Sequence, residues 1–254
     1  PDGIERFEDA WQRRVEVEPS RAEPLIRAFI AHRSESPRLP EARYLLGRSI
    51  VLAARSGEFP GPHVLGVAWS SLAAGRAGGF DPALTWGLQH EIARMLDERD
   101  FFREAVARYT ELVQRSGIPE VPLDLARALA RRAVQDPVAR EALLDEAASR
   151  VSEYLRTAPP DRRLRGFLTQ ADIYWRSGRY AEILPILERE LGEFHGDEDR
   201  GRLQLERGKA LTRLRRNDEA LAVLQEAERL LDRTSGVDQA ILFQAILHQR
   251  SGEG

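Results

Sequence analysis

The five histidines (His32, His63, His90, His195 and His248) are the residues of this chain suited to metal binding or proton transfer, and they are widely scattered. His90-Glu91 lacks a second His one turn on, so no zinc-binding helix of that type exists, and the histidines read as solvated or helix-capping side chains. The one Gly-rich stretch, residues 75–79 (GRAGG), would need a strand before it and Lys-Ser/Thr after it to hold a phosphate. It has neither and reads as a helix stop and linker. The acidic runs at 188–193 and 197–199 read as solvated helix surfaces and ends rather than a catalytic acid/base pair. With no cysteine in the chain, thiol catalysis, disulfides and cysteine-bound metals are excluded. No catalytic, cofactor or metal constellation emerges, and the chain is expected not to be an enzyme.

What remains is arginine chemistry. Lys209 is the only lysine, a bias that fits a GC-rich bacterial genome. Arg presents a planar fork matched to carboxylates, so ion pairs within the molecule should be common. The charge is unevenly spread. Residues 199–216 hold seven cations and two carboxylates, a net +5, whereas 218–232 hold one and five, a net −4. One repeat earlier, 161–179 carries +3 and 180–197 carries −4.

These side chains must be placed by helices. Helical periodicity dominates, and no segment shows convincing strand alternation. Breakers recur at Pro19, 37–40, 57–62, 78–82, 117–122, 136–137, 159–160, Gly178, Gly196, Asn217 and Gly236. Between them lie segments of about twelve to twenty residues, which predict twelve or thirteen helices. The helices pair as six hairpins, 4–33, 41–75, 82–115, 122–156, 162–194 and 199–231, followed by a closing helix over 237–250. Trp11 and Phe29 are expected to point inward in the first hairpin. Trp69 and Trp86 are expected in the core, Trp69 within the apolar run Val64–Trp69. In the last helix Ala240, Ile241, Phe243, Ala245 and Ile246 form the apolar side.

A register repeats. Gln170–Leu191 places Ala171 and Tyr174 before Gly178, then Tyr180, Ile183, Leu187 and Leu191 after it. Gly208 and Leu211, then Ala220, Leu224 and Ala227, do the same, as do Ala93 and Leu96, then Phe102, Ala105, Tyr109 and Leu112. The residue where the helices cross recurs after twelve residues each time, at 93/105, 171/183 and 208/220. This is the signature of a helical-hairpin solenoid.

These hairpins resemble the tetratricopeptide repeat, most clearly over 86–114 and 162–233, about 40% of the chain. Departures are visible. Ile183 stands where the family carries Ala, which predicts a wider crossing. The step from Ile183 to Ala220 is 37 residues against the family's 34. In the fourth hairpin either Ala142 or Ala147 can serve as the crossing residue. In the second, Leu46-Gly47 and Ile50 are followed by a turn, Gly57-Glu58-Phe59, that carries an insertion. The resemblance implies an all-α, right-handed solenoid of stacked antiparallel hairpins. Residues 1–80 would form degenerate hairpins, 81–234 the clearer repeats, and 235–254 a capping helix and tail.

The resemblance also implies that first helices line the concave wall. The positively charged first helices would then make a groove for an acidic or carboxylate-ending segment, with Arg165, Asp172, Trp175, Arg176, Arg202, Lys209 and Arg213 best placed. Trp175 would stack on an Arg or anchor an apolar side chain. The competing reading is that basic first helices simply neutralise acidic second helices, in surface pairs worth roughly 0–1 kcal/mol each. The family's carboxylate clamp uses Asn, and no Asn stands at these positions. The expected function is a protein–protein interaction scaffold or adaptor, with self-assembly into a homo-oligomer or filament by end-to-end stacking as one form of it. The alternative is a ligand-sensing or regulatory domain of a larger bacterial protein. A net charge of −3 and few aromatics among the cations disfavour nucleic acid. No apolar run approaches the ~20 residues of a membrane span. The Pro1 start and absent cysteine incline the reading towards an exported bacterial protein.

Overall fold

The computed structural model describes residues 11–57, 60–231 and 236–251. Among these residues all regular structure is helical. Helix α1 covers 11–17. It is followed by α2 (Pro19–His32), α3 (Leu39–Ser56), α4 (Pro62–Ala77), α5 (Pro82–Glu98), α6 (Phe102–Arg115) and α7 (Val121–Gln135). Then come α8 (Arg140–Thr157), α9 (Pro160–Ser177), α10 (Tyr180–Leu191), α11 (Asp197–Arg213), α12 (Asn217–Leu230) and α13 (Val237–Ser251). The chain divides into two compact units, Pro1–Asp124 and Leu125–Gly254.

Each unit stacks helices in chain order. In the first, α2 to α6 each pack on the next, and α3 also reaches α5. In the second, α8 to α13 do the same, with α9 on α11 and α11 on α13. The helices α3, α9 and α11 thus meet both a sequence neighbour and the equivalent helix of the next hairpin, which is how a repeat stack extends one core. The N-terminal ends follow from local chemistry. Proline occupies the first turn of α2, α3, α4, α5 and α9, where its missing N–H costs nothing. Asp81 caps α5 by accepting from Ala83 N at 2.7 Å.

Hairpin packing rests on close backbone approach. A Cβ on Gly208 would lie 2.6 Å from Leu224 Cγ and Cδ2, and one on Gly47 would lie 2.5 Å from Leu72 Cγ. The leucine of one helix therefore fills the place a side chain would take on the other. At 208 the contacted residue is Leu224, one turn beyond the expected Ala220, which is itself fully buried. Ile183 is buried in the same core cluster as Ala171, its expected crossing partner. Ala147 is buried and Ala142 exposed, so Ala147 is the inward residue of α8.

In the first unit Trp69 is 3% exposed and sits with Leu65, Ala68 and Leu72 on the buried side of α4. Its Nε1 donates to Glu111 Oε2 at 3.2 Å, and its carbonyl accepts from Gln89 Nε2 at 3.1 Å. Gln89 Oε1 accepts from Arg76 at 2.6 Å, and the Arg76 guanidinium lies 3.3 Å from the Trp86 ring centroid. These bonds tie α4 to α5 and α6.

Several expectations need correction. Trp11 and Phe29 are only partly buried and meet edge to face at 5.1 Å. The inward residues there are Val15, Ala22 and Ile26. Trp86 is likewise half-buried under Arg76 rather than in the core. In α13 the inward face is Ala240, Phe243 and Leu247, one helical stripe, while Ile241 and Ala245 face outward. His90 is not solvated, because its Nε2 lies 2.9 Å from the largely buried Asp124 carboxylate. Glu190 is buried too, between Arg163 at 3.5 Å and Arg189 at 2.9 Å. The start of the first hairpin at residue 4 and the turn residues Glu58 and Phe59 lie outside the described residues, as do 232–235 and the tail at 252–254.

Candidate partner-binding wall in the second unit

Helices α9, α11 and α13 are successive neighbours along one wall of the second unit. Trp175, near the end of α9, is where they converge. Its ring meets Tyr180 of α10 edge-on at 5.3 Å and Phe243 of α13 at 6.1 Å. The Arg213 guanidinium of α11 lies 4.7 Å from its centroid. The Trp-on-Arg stacking expected from the sequence is therefore made, and its partner is Arg213. A cation on an indole face at an exposed site is worth about 0.5–1 kcal/mol.

Beside this cluster opens a groove of about 900 Å³, bounded by the end of α7, the start of α8 and the end of α9. Asp172, Trp175 and Arg176 line it. Arg140 closes one side by donating to the Arg176 carbonyl at 2.8 Å. Arg179 is held by Asp145, a hydrogen bond that raises its guanidinium above the ordinary arginine range. Val138 stands almost wholly exposed at the rim. Glu141 also lines the groove, so its charge is mixed rather than purely basic.

The seven expected residues are thus only partly brought together. Three line the groove and Arg213 stacks on one of them, whereas Arg165, Arg202 and Lys209 do not line it. The cations are also paired. Arg176 bonds Asp172 at 2.8 Å, Arg202 bonds Glu198 at 2.5 Å and Lys209 bonds Glu206 at 2.7 Å, each within its own helix. Neutralisation between first and second helices occurs elsewhere, at Arg163–Glu190 and Arg207–Glu188. Because α11 begins at Asp197, Asp197 and Glu198 belong to it, and residues 197–216 carry seven cations against four carboxylates, a net +3 rather than +5. Sequence reasoning missed Arg140, Arg179 and Val138. Their turns follow Pro137 and Gly178, which was legible, but their convergence with α9 was not.

No protein-family model matches the chain. No curated protein matches it either. Among described residues no helix is long and apolar enough to cross a membrane. Among solved structures the chain is similar to the crystal structure of the apo form of RapI, with a TM-score of 0.59 at 12% identity. That match covers 96% of this chain and 70% of the RapI chain. The likeness is one of fold: an all-α repeat of packed helical hairpins.

Proposed function

We propose that the chain is a non-enzymatic protein-interaction module whose α9–α11–α13 wall receives an acidic partner segment. The observation carrying this reading is the Trp175 cluster. A half-buried indole stacked under Arg213 lies at the edge of an open groove, and on α9 and α11 the cations Arg176, Arg202 and Lys209 have carboxylate partners on their own helices. Own-helix pairs at the surface are worth about 0.3–0.5 kcal/mol, so an incoming carboxylate displaces them at little cost and gains the forked geometry of Arg. Trp175 supplies the aromatic anchor that such interfaces favour. The fold agrees, since stacked hairpins present long rigid surfaces rather than enclosed clefts.

The test is capture of partners from the native source by the wild-type chain and by the Arg176→Glu, Arg202→Glu, Lys209→Glu, Arg213→Glu variant. Circular dichroism and light scattering would verify that both are folded and of equal size. A partner held by wild type and lost by the variant supports the reading, and equal capture by both overturns it.

A further inference from the structure

The outward side of α4, in the first unit, faces an open cleft of about 580 Å³. Its floor is formed by small and apolar residues of that helix, among them Gly66, Val67, Ser70 and Ala74. Arg43 of α3 and Arg108 of α6 line it as well, and no carboxylate does so among the described residues.

These two arginines differ from those of the second-unit wall. Arg43 makes no hydrogen bond or ion pair among the described residues, and Arg108 has only its stacking contact. Stacking fixes Arg108 without consuming its hydrogen-bonding capacity. Its guanidinium lies 4.7 Å from the Trp69 ring centroid, and Trp69 is itself held by Glu111 and Gln89. Arg108 Nη2 lies 4.0 Å from where a Gly66 Cβ would be, so the guanidinium passes beside Gly66 on α4. Glu111, one turn on, is turned instead to Trp69 and to Arg115 at 3.8 Å. The Arg108 guanidinium therefore keeps hydrogen-bond donors available at a cleft whose lining supplies no carboxylate among the described residues.

We propose that this cleft binds an acidic peptide segment lying along α4, with its carboxylates paired to Arg43 and Arg108. Charge complementarity selects the acid, and shape selects a peptide over a small anion. The lining runs from Pro62 to Ala74, about 18 Å of helix, and it is open along its length, unlike the enclosing pockets that hold small ligands. Gly66, Ser70 and Ala74 stand one turn apart and let a second backbone lie close.

The site is separate from the Trp175 wall, so the test disables that wall first. A library of displayed twelve-residue peptides is selected on protein carrying Arg176→Glu, Arg202→Glu, Lys209→Glu and Arg213→Glu. The expected result is enrichment of peptides rich in Asp and Glu. Their affinity should fall about ten-fold or more on adding Arg43→Gln and Arg108→Gln, consistent with the loss of two charge-assisted hydrogen bonds. Ser70→Trp, at an exposed position, should block the floor with charge unchanged and weaken the same peptides. Recovery of no peptides, of non-acidic peptides, or of peptides indifferent to these variants overturns the proposal. So does Arg43- and Arg108-dependent binding of inorganic phosphate with no peptide recovered.

Discussion

At the scale of single residues, burial has set the chemistry of groups that composition alone would leave in water. Tyr109 is 1% exposed. Its hydroxyl is pushed well above the usual tyrosine range, first by burial and then by the nearby Asp124 and Asp97 carboxylates. Tyr44 is raised in the same direction by burial, with Arg48 opposing. For an acid raised on folding, the unfolded chain loses its proton first. Stability is therefore fully present below the ordinary tyrosine value, near 10, and is lost as pH rises above it. An alkaline absorbance titration of the folded protein should show Tyr44 and Tyr109 ionising above the usual tyrosine range, with Tyr109→Phe removing one late phenol. Urea midpoints should fall above about pH 10, less steeply in Tyr109→Phe. Ionisation of Tyr44 and Tyr109 at the ordinary tyrosine value in the folded state would contradict this. The burial of Tyr109 was legible from helical spacing, and that of Trp69 from its apolar run. The partial burial of His90 and the burial of Glu190 were not, because a polar residue is buried only where a partner waits. Theirs are Asp124 and Arg163, 34 and 27 residues away.

At the scale of elements, one turn is used four times among the described residues. The N–H of Phe80, Phe101, Arg179 and Arg216 donates to the carbonyl five residues back, on Gly75, Leu96, Tyr174 and Leu211. In each case the residue before the donor has positive φ: Gly79 at 99°, Asp100 at 65°, Gly178 at 75° and Arg215 at 59°. This is a Schellman closure, which suits Gly. Arg at such a position costs roughly 1 kcal/mol through Cβ crowding. Arg215→Gly should therefore stabilise the protein by up to about 1 kcal/mol, and Gly178→Ala should destabilise it by a similar amount. Denaturant midpoints at constant m would show both. A stabilising Gly178→Ala would mean that the turn opens at no cost. Gly178 was visible in the sequence as a helix stop. Asp100 and Arg215 were not visible as left-handed residues, because there the closing hydrogen bond and the packing of the next helix override local preference.

At the scale of the whole molecule, stability should be partitioned along the stack. Leu231 is fully buried, and Ala240 and Leu247 pack into the same core cluster. Removing α13 would bare that surface. In a stack where each helix contacts near neighbours, the damage should stay local. Truncation after Leu231 should abolish amide-exchange protection in α11 and α12 and leave α3 to α5 protected. Leu247→Ala should cost about 2–4 kcal/mol. Equal loss of protection in α3 to α5 would contradict nearest-neighbour coupling.

Helical character, the packing of successive helices and the small residues at crossings such as Gly47 and Gly208 were determined by the sequence itself. They follow from a 3.6-residue period and from Pro, Gly and Asp at helix ends, which act over a few residues. Which cations are spent was decided only in three dimensions. Both Arg108 and Arg176 are helical arginines with a carboxylate four residues before them, Glu104 and Asp172. Arg176 bonds Asp172, but Arg108 lies instead across Trp69, brought from α4 some forty residues away. That choice depends on distant side chains meeting, and no local period encodes it.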